Sequence, residues 1–145
     1  MISQTAEYAL RAVVCLARSP RERRWTVHDI HSTTDVPEGY LSKVMQQLAR
    51  AGIVRSQRGR AGGFHLARPV DDLSVLDVIN AVDPFQRIRH CPLGLPEHEH
   101  ELCALHRRVD LEMARVERAF GETSFAELLS EPGPHWPLGL ENRDD

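Results

Sequence analysis

Apolar positions at helical spacing open the chain. From Gln4 to Arg18, Ala6, Leu10, Val13 and Ala17 recur with Glu7, Arg11 and Arg18 between them, which predicts an amphipathic helix. The polar stretch "SPRERR" follows. Thr26 then stands three residues ahead of Asp29, beside Val27 and Ile30, a spacing that predicts a capped short helix with Asp where Glu or Gln is usual. After the tight connection "TTDV", Pro37 is preorganised for the first turn of another helix. Leu41, Val44, Met45 and Leu48 form that helix's apolar face, and Gly52 suits the position just past its end. Its other face shows Glu38, Gly39, Ser42, Lys43, Gln46 and Arg50. Two helices joined by a short turn predict a helix-turn-helix.

The pattern then shortens. Ile53 and Val54 begin a strand, Phe64 and Leu66 lie on its return, and glycines 59, 62 and 63 lie between, which predicts a hairpin. A helix-turn-helix followed by a hairpin is a winged helix, so the expected class is mainly α with one small β-hairpin. "SVLDVINAVD" reads as a further helix with Val75, Val78, Ile79 and Val82 on one face, a second capping pair in Ser74 and Asp77, and Asp83-Pro84 as its stop. "FQRIRH" has no clear period. From Leu102 the apolar residues Leu105, Val109, Met113, Val116 and Phe120 follow in steps of 3, 4, 4, 3 and 4. This is a heptad seam on a helix roughly 28 Å long, and it predicts self-association into a homodimer. "TSFAELL" reads as a short capped helix, and the proline-rich, charged end as a mobile tail. The expected organisation is a winged helix-turn-helix domain over 1–83, a loop over 84–101, a dimerisation helix with a short C-terminal helix over 102–130, and a flexible tail over 131–145.

Charge adds a partner. The whole chain carries −3, yet residues 1–82 hold 11 basic and 8 acidic side chains while 83–145 hold 7 and 13. Between Gly39 and Val70 there are six basic residues and no acidic one. "RSQRGRAGGFHLAR", residues 55–68, packs four arginines and three glycines together. A basic block inside an acidic chain points to a polyanion-binding surface. Arginines on a thin, glycine-rich tip suit a minor groove of double-stranded DNA while the preceding helix occupies the major groove. No apolar run approaches the roughly 18 residues of a membrane span, and the N-terminus lacks the basic opening of a signal peptide. A cytoplasmic protein with no membrane association is expected. No nucleophile–base constellation or paired catalytic carboxylates stand out, so an enzyme is not expected.

Cys15, Cys91 and Cys103 make an odd count, poor for a disulfide framework. Cys15 lies in an apolar helix and reads as core filler. His90, His98, His100 and His106 cluster around Cys91 and Cys103, and residues 103 and 106 share a helix face. Thiolates and imidazoles suit zinc or iron–sulfur iron. Ordinary zinc sites use closer cysteine pairs. A Cys91–Cys103 disulfide is sterically open, and a solvated histidine loop is the bland alternative.

"EYALRAVVCLA", "YLSKVMQQLARAGIVRSQRGRAGGF", "SVLDVINAVD" and "TSFAELL" together resemble the winged-helix regulator family that includes the iron–sulfur cluster regulator IscR and the nitric-oxide sensor NsrR. The resemblance runs from Ile2 to about Leu129. It implies a dimer, joined by the long C-terminal helix, that binds a palindromic operator. It implies base reading by Gly39, Ser42 and Lys43 with Glu38, Tyr40 and Gln46 as neighbours, phosphate contacts from Lys43 and Arg50, and a minor-groove arginine at Arg58 flanked by Arg55 and Arg60. Cluster-binding members carry three evenly spaced cysteines. Cys91 and Cys103 match the first and third, and Glu97, with His98 beside it, stands at the middle place. His106 matches a ligand histidine past the last cysteine. Glu7, before Tyr8, matches an acidic residue that reaches the cluster from the partner subunit. The candidate ligands are therefore Cys91, Cys103, His106, Glu7 and one of Glu97, His98 or His100. His31 is a further candidate that reads rather as an ordinary surface residue. Two thiolates with histidine or carboxylate suit a 2Fe–2S centre better than 4Fe–4S. The expected function is a DNA-binding repressor switched by that cluster in response to redox state, nitric oxide or iron–sulfur status. The alternative is a cluster-free regulator of the same family that senses through a thiol or a partner protein; a metalloenzyme is the outlier.

Overall fold

The computed structural model describes residues 1–20, 22–135 and 137. Helices α1 (Gln4–Ala17), α2 (Val27–Thr34) and α3 (Glu38–Arg50) are followed by strands β1 (Val54–Gln57) and β2 (Gly63–Leu66). Helices α4 (Val75–Val82), α5 (Ala104–Glu122) and α6 (Phe125–Ser130) complete the order, with 3₁₀ turns at Val70–Asp72 and Pro96–His98. The mainly helical class with one hairpin is as the sequence predicts. The expected flexible tail falls largely on residues 136 and 138–145, which lie outside the described residues. Among the described residues no helix is long and apolar enough to cross a membrane.

Local chemistry sets the helix ends. Ser3 accepts from the Ala6 N–H, and Thr26/Asp29 and Ser74/Asp77 both form reciprocal capping boxes, each satisfying two otherwise orphaned donors. Pro37 lies one place outside the first turn expected for it. It is the cap of α3, and its carbonyl accepts from Tyr40 and Leu41. At the far end of α3, Gly52 takes φ +73 and donates to Ala49 while Ile53 donates to Leu48. This is a Schellman closure, which a left-handed glycine makes without strain.

α1 is the central post. Ala6, Ala9 and Ala12 are fully buried, and their small side chains let neighbouring helices approach closely. Val13, Ile30, Val36, Leu41, Met45, Leu48 and Val78 share one cluster with Ala9 and Ala12, while Val75 and Ile79 pack with Ala6. Cys15 belongs to this core, and burial pushes its thiol up to about 11, so it stays protonated and inert.

α6 returns to the same core. The Phe125 N–H donates to Leu73, the Val75 N–H donates to Thr123, and the Phe125 ring is fully buried. Truncating so large a ring leaves a cavity with little room to collapse. Phe125→Ala is expected to cost about 3–5 kcal/mol of folding stability, read from a urea denaturation midpoint.

α5 behaves differently. None of its 19 residues is buried. Its C-terminal half leans on the preceding segment through an edge-on Phe85–Phe120 contact, centroids 6.4 Å apart. Its N-terminal half presents Leu105, Val109 and Leu111 to solvent, Leu105 at 66%. The helix starts later than the seam suggested. Cys103 is its cap, in extended backbone at φ −62 and ψ 165, so Leu102 stands outside the helix.

Candidate nucleic-acid interface and thiol segment

The outer face of α3 follows from its inner one. Burying Leu41, Val44, Met45 and Leu48 turns Glu38, Gly39, Ser42, Lys43, Gln46 and Arg50 outward, and all six are exposed. Tyr40 is also half exposed, its ring edge-on to Tyr8 with centroids 5.6 Å apart. Among the described residues neither Lys43 nor Arg50 is in a salt bridge. Glu38 is bonded, its Oε1 lying 2.8 Å from the His28 Nδ1 on α2. The His31 Nδ1 sits 2.9 Å from the Val36 carbonyl. His31 is thus more than the surface residue the sequence suggested, since its ring braces the turn between α2 and α3.

The wing is braced at its base and free at its tip. β1 and β2 pair antiparallel with Arg55 opposite His65 and Ser56 opposite Phe64. Phe64 also pairs with Trp25 through two backbone bonds of 2.7 and 2.9 Å. Gly63 makes that bridge possible. It sits at φ +140, and a Cβ there would meet the Trp25 carbonyl oxygen at 2.7 Å, so only glycine fits. The Arg24 Nε donates to Gln57, and the Arg23 guanidinium stacks 3.6 Å over the Trp25 ring. Burial, with help from the Arg24 and Arg55 charges, holds the His65 imidazole below its ordinary pKa, so the positive charge of the wing resides in its arginines. Arg55, Arg58 and Arg60 are exposed, and among the described residues none is in a salt bridge. Unpaired guanidiniums on a narrow projection are available to an external polyanion without first breaking an internal bond.

The cysteine–histidine segment forms two separate pairs. The Cys91 Sγ lies 3.6 Å from the His98 Nδ1, and the Cys103 Sγ lies 3.5 Å from the His106 Nδ1. The turn after Cys91 aims backbone N–H groups at its sulfur. Leu95 contributes most, then the His98 ring, with Leu93 also lowering the thiol's pKa, to about 7. Glu97, His90 and His100 are exposed, and Glu7 is paired with Arg11 at 3.1 Å. Among the described residues no group of three or more His, Cys, Asp or Glu side chains closes on one point that could hold a metal ion. The donor chemistry of the pairs still fits iron: two sulfurs and two ring nitrogens supply two donors for each iron of a 2Fe–2S centre. The single chain brings the candidate ligands together only as those two pairs.

Sequence reasoning passed over Arg87, which lies in the stretch without a period. Its guanidinium forks onto both Asp110 oxygens at 2.7 Å and reaches Glu117 at 2.9 Å, while the Ile88 N–H donates to Asp110 at 2.9 Å. The fork holds the Asp110 carboxyl below the usual carboxylate range and the Arg87 guanidinium above its own. This clamp fastens the entry of the thiol segment to the flank of α5. One signal was available: Asp110 and Glu117 are seven residues apart, beside Val109 and Val116 of the seam, so one helix stripe carries two acids.

Known proteins resemble this chain in sequence and in fold. The family model described as "Rrf2: Iron-dependent Transcriptional regulator" matches residues 2–131. A protein of Aquifex aeolicus (strain VF5) that carries the name HTH-type transcriptional regulator is 28% identical over 138 residues, covering 93% of this chain and 95% of that protein. A similarly named protein of Mycobacterium tuberculosis (strain ATCC 25618 / H37Rv) is 36% identical over 94 residues, covering 64% of this chain and 58% of that protein. Among solved structures, CymR (YrzC), the global cysteine regulator of B. subtilis, matches with a TM-score of 0.76 at 24% identity, over 92% of this chain and 98% of that one. IscR of T. potens matches with a TM-score of 0.72 at 22% identity, over 89% and 85%. At these identities the two structures show the shared winged-helix fold.

Proposed function

This chain belongs to the Rrf2 family of DNA-binding transcriptional regulators, and from that premise we propose that it acts as a homodimer on a palindromic operator, repressing transcription under the control of its cysteine–histidine segment. Each α3 enters a major groove, where Gly39, Ser42 and Lys43 face bases and Lys43 and Arg50 face phosphates. Each wing lays Arg58 into the flanking minor groove, with Arg55 and Arg60 against the backbone. Two-fold symmetry spaces the half-sites about one helical turn, roughly 34 Å, or a multiple of it. The observation that carries the reading is the surface formed by α3 and the wing, free of acids apart from Glu38, on which Arg55, Arg58 and Arg60 are exposed and in no salt bridge among the described residues.

Cys91 and His98 on one side, and Cys103 and His106 on the other, are the residues that would hold a 2Fe–2S centre. Glu7 of the partner subunit, Glu97 and His100 are the remaining candidates. Such a group supplies one-electron redox chemistry and reactivity toward nitric oxide. The chain's part is mechanical. Both pairs lie between the Arg87 clamp and the first turn of α5, so gathering them draws the two ends of that segment together and shifts α5 against the reading heads. A coupling of about 1–3 kcal/mol changes operator affinity about 5- to 150-fold, enough for a switch without unfolding.

The separation of the two pairs favours a second reading, in which Cys91 and Cys103 sense directly as thiols. One measurement divides the two. Anaerobically purified protein is expected to show visible absorbance with matching iron and acid-labile sulfide, and Cys91→Ala and Cys103→Ala are each expected to abolish it. Colourless, iron-free protein whose DNA affinity changes on thiol oxidation selects the second reading.

A further inference from the structure

The surface that faces DNA excludes acids with one exception. Residues 39–70 hold no Asp or Glu, yet Glu38 sits in the first turn of α3, exposed, on the same row as Ser42 and Gln46. A carboxylate so placed repels phosphates and is a liability unless it contacts a base. Glu38 is also not left to wander. Its Oε1 lies 2.8 Å from the Nδ1 of His28, which stands in the first turn of α2. A carboxylate only accepts, so the bond fixes the imidazole proton on Nδ1 and ties the Glu38 side chain across the helix-turn-helix.

We infer that Glu38 is a specificity-determining residue that reads cytosine in the major groove, and that His28 is the positioning residue that aims it. This inference rests on the DNA-binding face proposed above. Cytosine is the base whose major-groove edge offers only a donor, the N4 amino group, and Glu or Asp is the side chain that accepts from it. His28 takes one carboxylate oxygen and leaves the other with free lone pairs at the front of α3. The pairing restricts the rotamers of a flexible side chain before DNA arrives, which lowers the ordering cost on binding. The contact is selective rather than adhesive. It costs affinity at guanine and thymine, whose edges present acceptors that leave a carboxylate unpaired and repelled, and it gains less at adenine, where the N7 acceptor stands beside the amino donor.

The test is selection of full-length protein on a pool of random duplexes at fixed salt and pH, followed by sequencing, with thermal melting run in parallel. Wild type is expected to enrich a symmetric motif with one C·G position per half-site preferred about 5-fold or more over other pairs. Glu38→Ala is expected to flatten that column alone, and Glu38→Gln to shift it toward adenine, which a Gln amide reads. His28→Ala is expected to weaken the same column, and His28→Gln, which keeps a donor, to restore part of it. All four variants are expected to melt with wild type. An unchanged column in Glu38→Ala overturns the inference. So does a uniform loss across all columns together with a lower melting temperature, which marks a merely structural pair. A wild-type pool that enriches nothing overturns the DNA-binding face itself, a result distinct from either.

Discussion

Arg58→Ala weakens duplex binding by about 10- to 100-fold and makes its salt dependence shallower, measured by fluorescence anisotropy on a selected duplex from low to physiological salt. The magnitude follows from counting. Each arginine held against the duplex, in the groove or on the backbone, neutralises phosphate charge and releases roughly 0.9 counterions, and a dimer loses two of them when Arg58 is truncated in both subunits. The slope of log affinity against log salt should therefore fall by about 2. Arg58 is the sharper choice because it projects from the turn between β1 and β2 and makes no salt bridge within the described residues. Truncating it leaves the fold untouched, and melting should be unchanged. Arg24 is the internal contrast. It is bonded to Gln57, so its loss would loosen the base of the wing as well as remove a charge. An Arg58→Ala protein that keeps both affinity and slope would remove the wing from the interface and leave α3 alone as the contact.

Features governed by neighbours in sequence were legible from the sequence. Thr26 with Asp29, Ser74 with Asp77, and the Gly52 closure each act within five residues, so local spacing carries the whole cause. The alternation of Leu41, Val44, Met45 and Leu48 with exposed polar positions settled which face of α3 turns outward, since the core claims the apolar one. What was missed is held by partners distant in sequence. Arg87 meets Asp110 across 23 residues and His28 meets Glu38 across ten, and neither leaves a periodic trace. Trp25 carried no assignment in the sequence, because nothing nearby announces that Phe64 will pair with it through two backbone bonds. The cysteine segment was half legible. Cys103 and His106 are one turn apart and were expected to share a face, whereas the Cys91–His98 pair depends on a turn and a 3₁₀ segment that no hydrophobic period marks.

The α5 face gives the second large effect. Val109→Glu is expected to convert the protein to a monomer in analytical ultracentrifugation and to weaken operator binding by about 100-fold or more. Val109 lies in the exposed N-terminal half of a helix with no fully buried residue, at 41% exposure beside Leu105 at 66%. Leaving such residues in water forgoes roughly 1.5–3 kcal/mol for each side chain that burial would recover, and a two-fold pairing recovers it twice. A two-fold axis also sets each substituted side chain near the partner's same face. The substitution, present in both subunits, would therefore place paired carboxylates in an apolar seam, where neither is solvated nor matched. The DNA effect follows from linkage of sites. A dimer that has docked one α3 holds the second at a high effective concentration, which raises avidity by about 10²–10⁴ without any new contact, and a monomer forfeits that gain while its α3 and wing remain intact. The variant should therefore still bind a single half-site weakly, with the slope per subunit of wild type. A second substitution separates the interface from folding: Glu112→Ala, on the same helix and bonded among the described residues only to exposed Arg108 and Arg115, should leave the dimer in place. A Val109→Glu protein that remains dimeric would move the subunit contact off the 105–120 seam. The shift of α5 by which the thiol segment is proposed to act would then have no partner helix to work against.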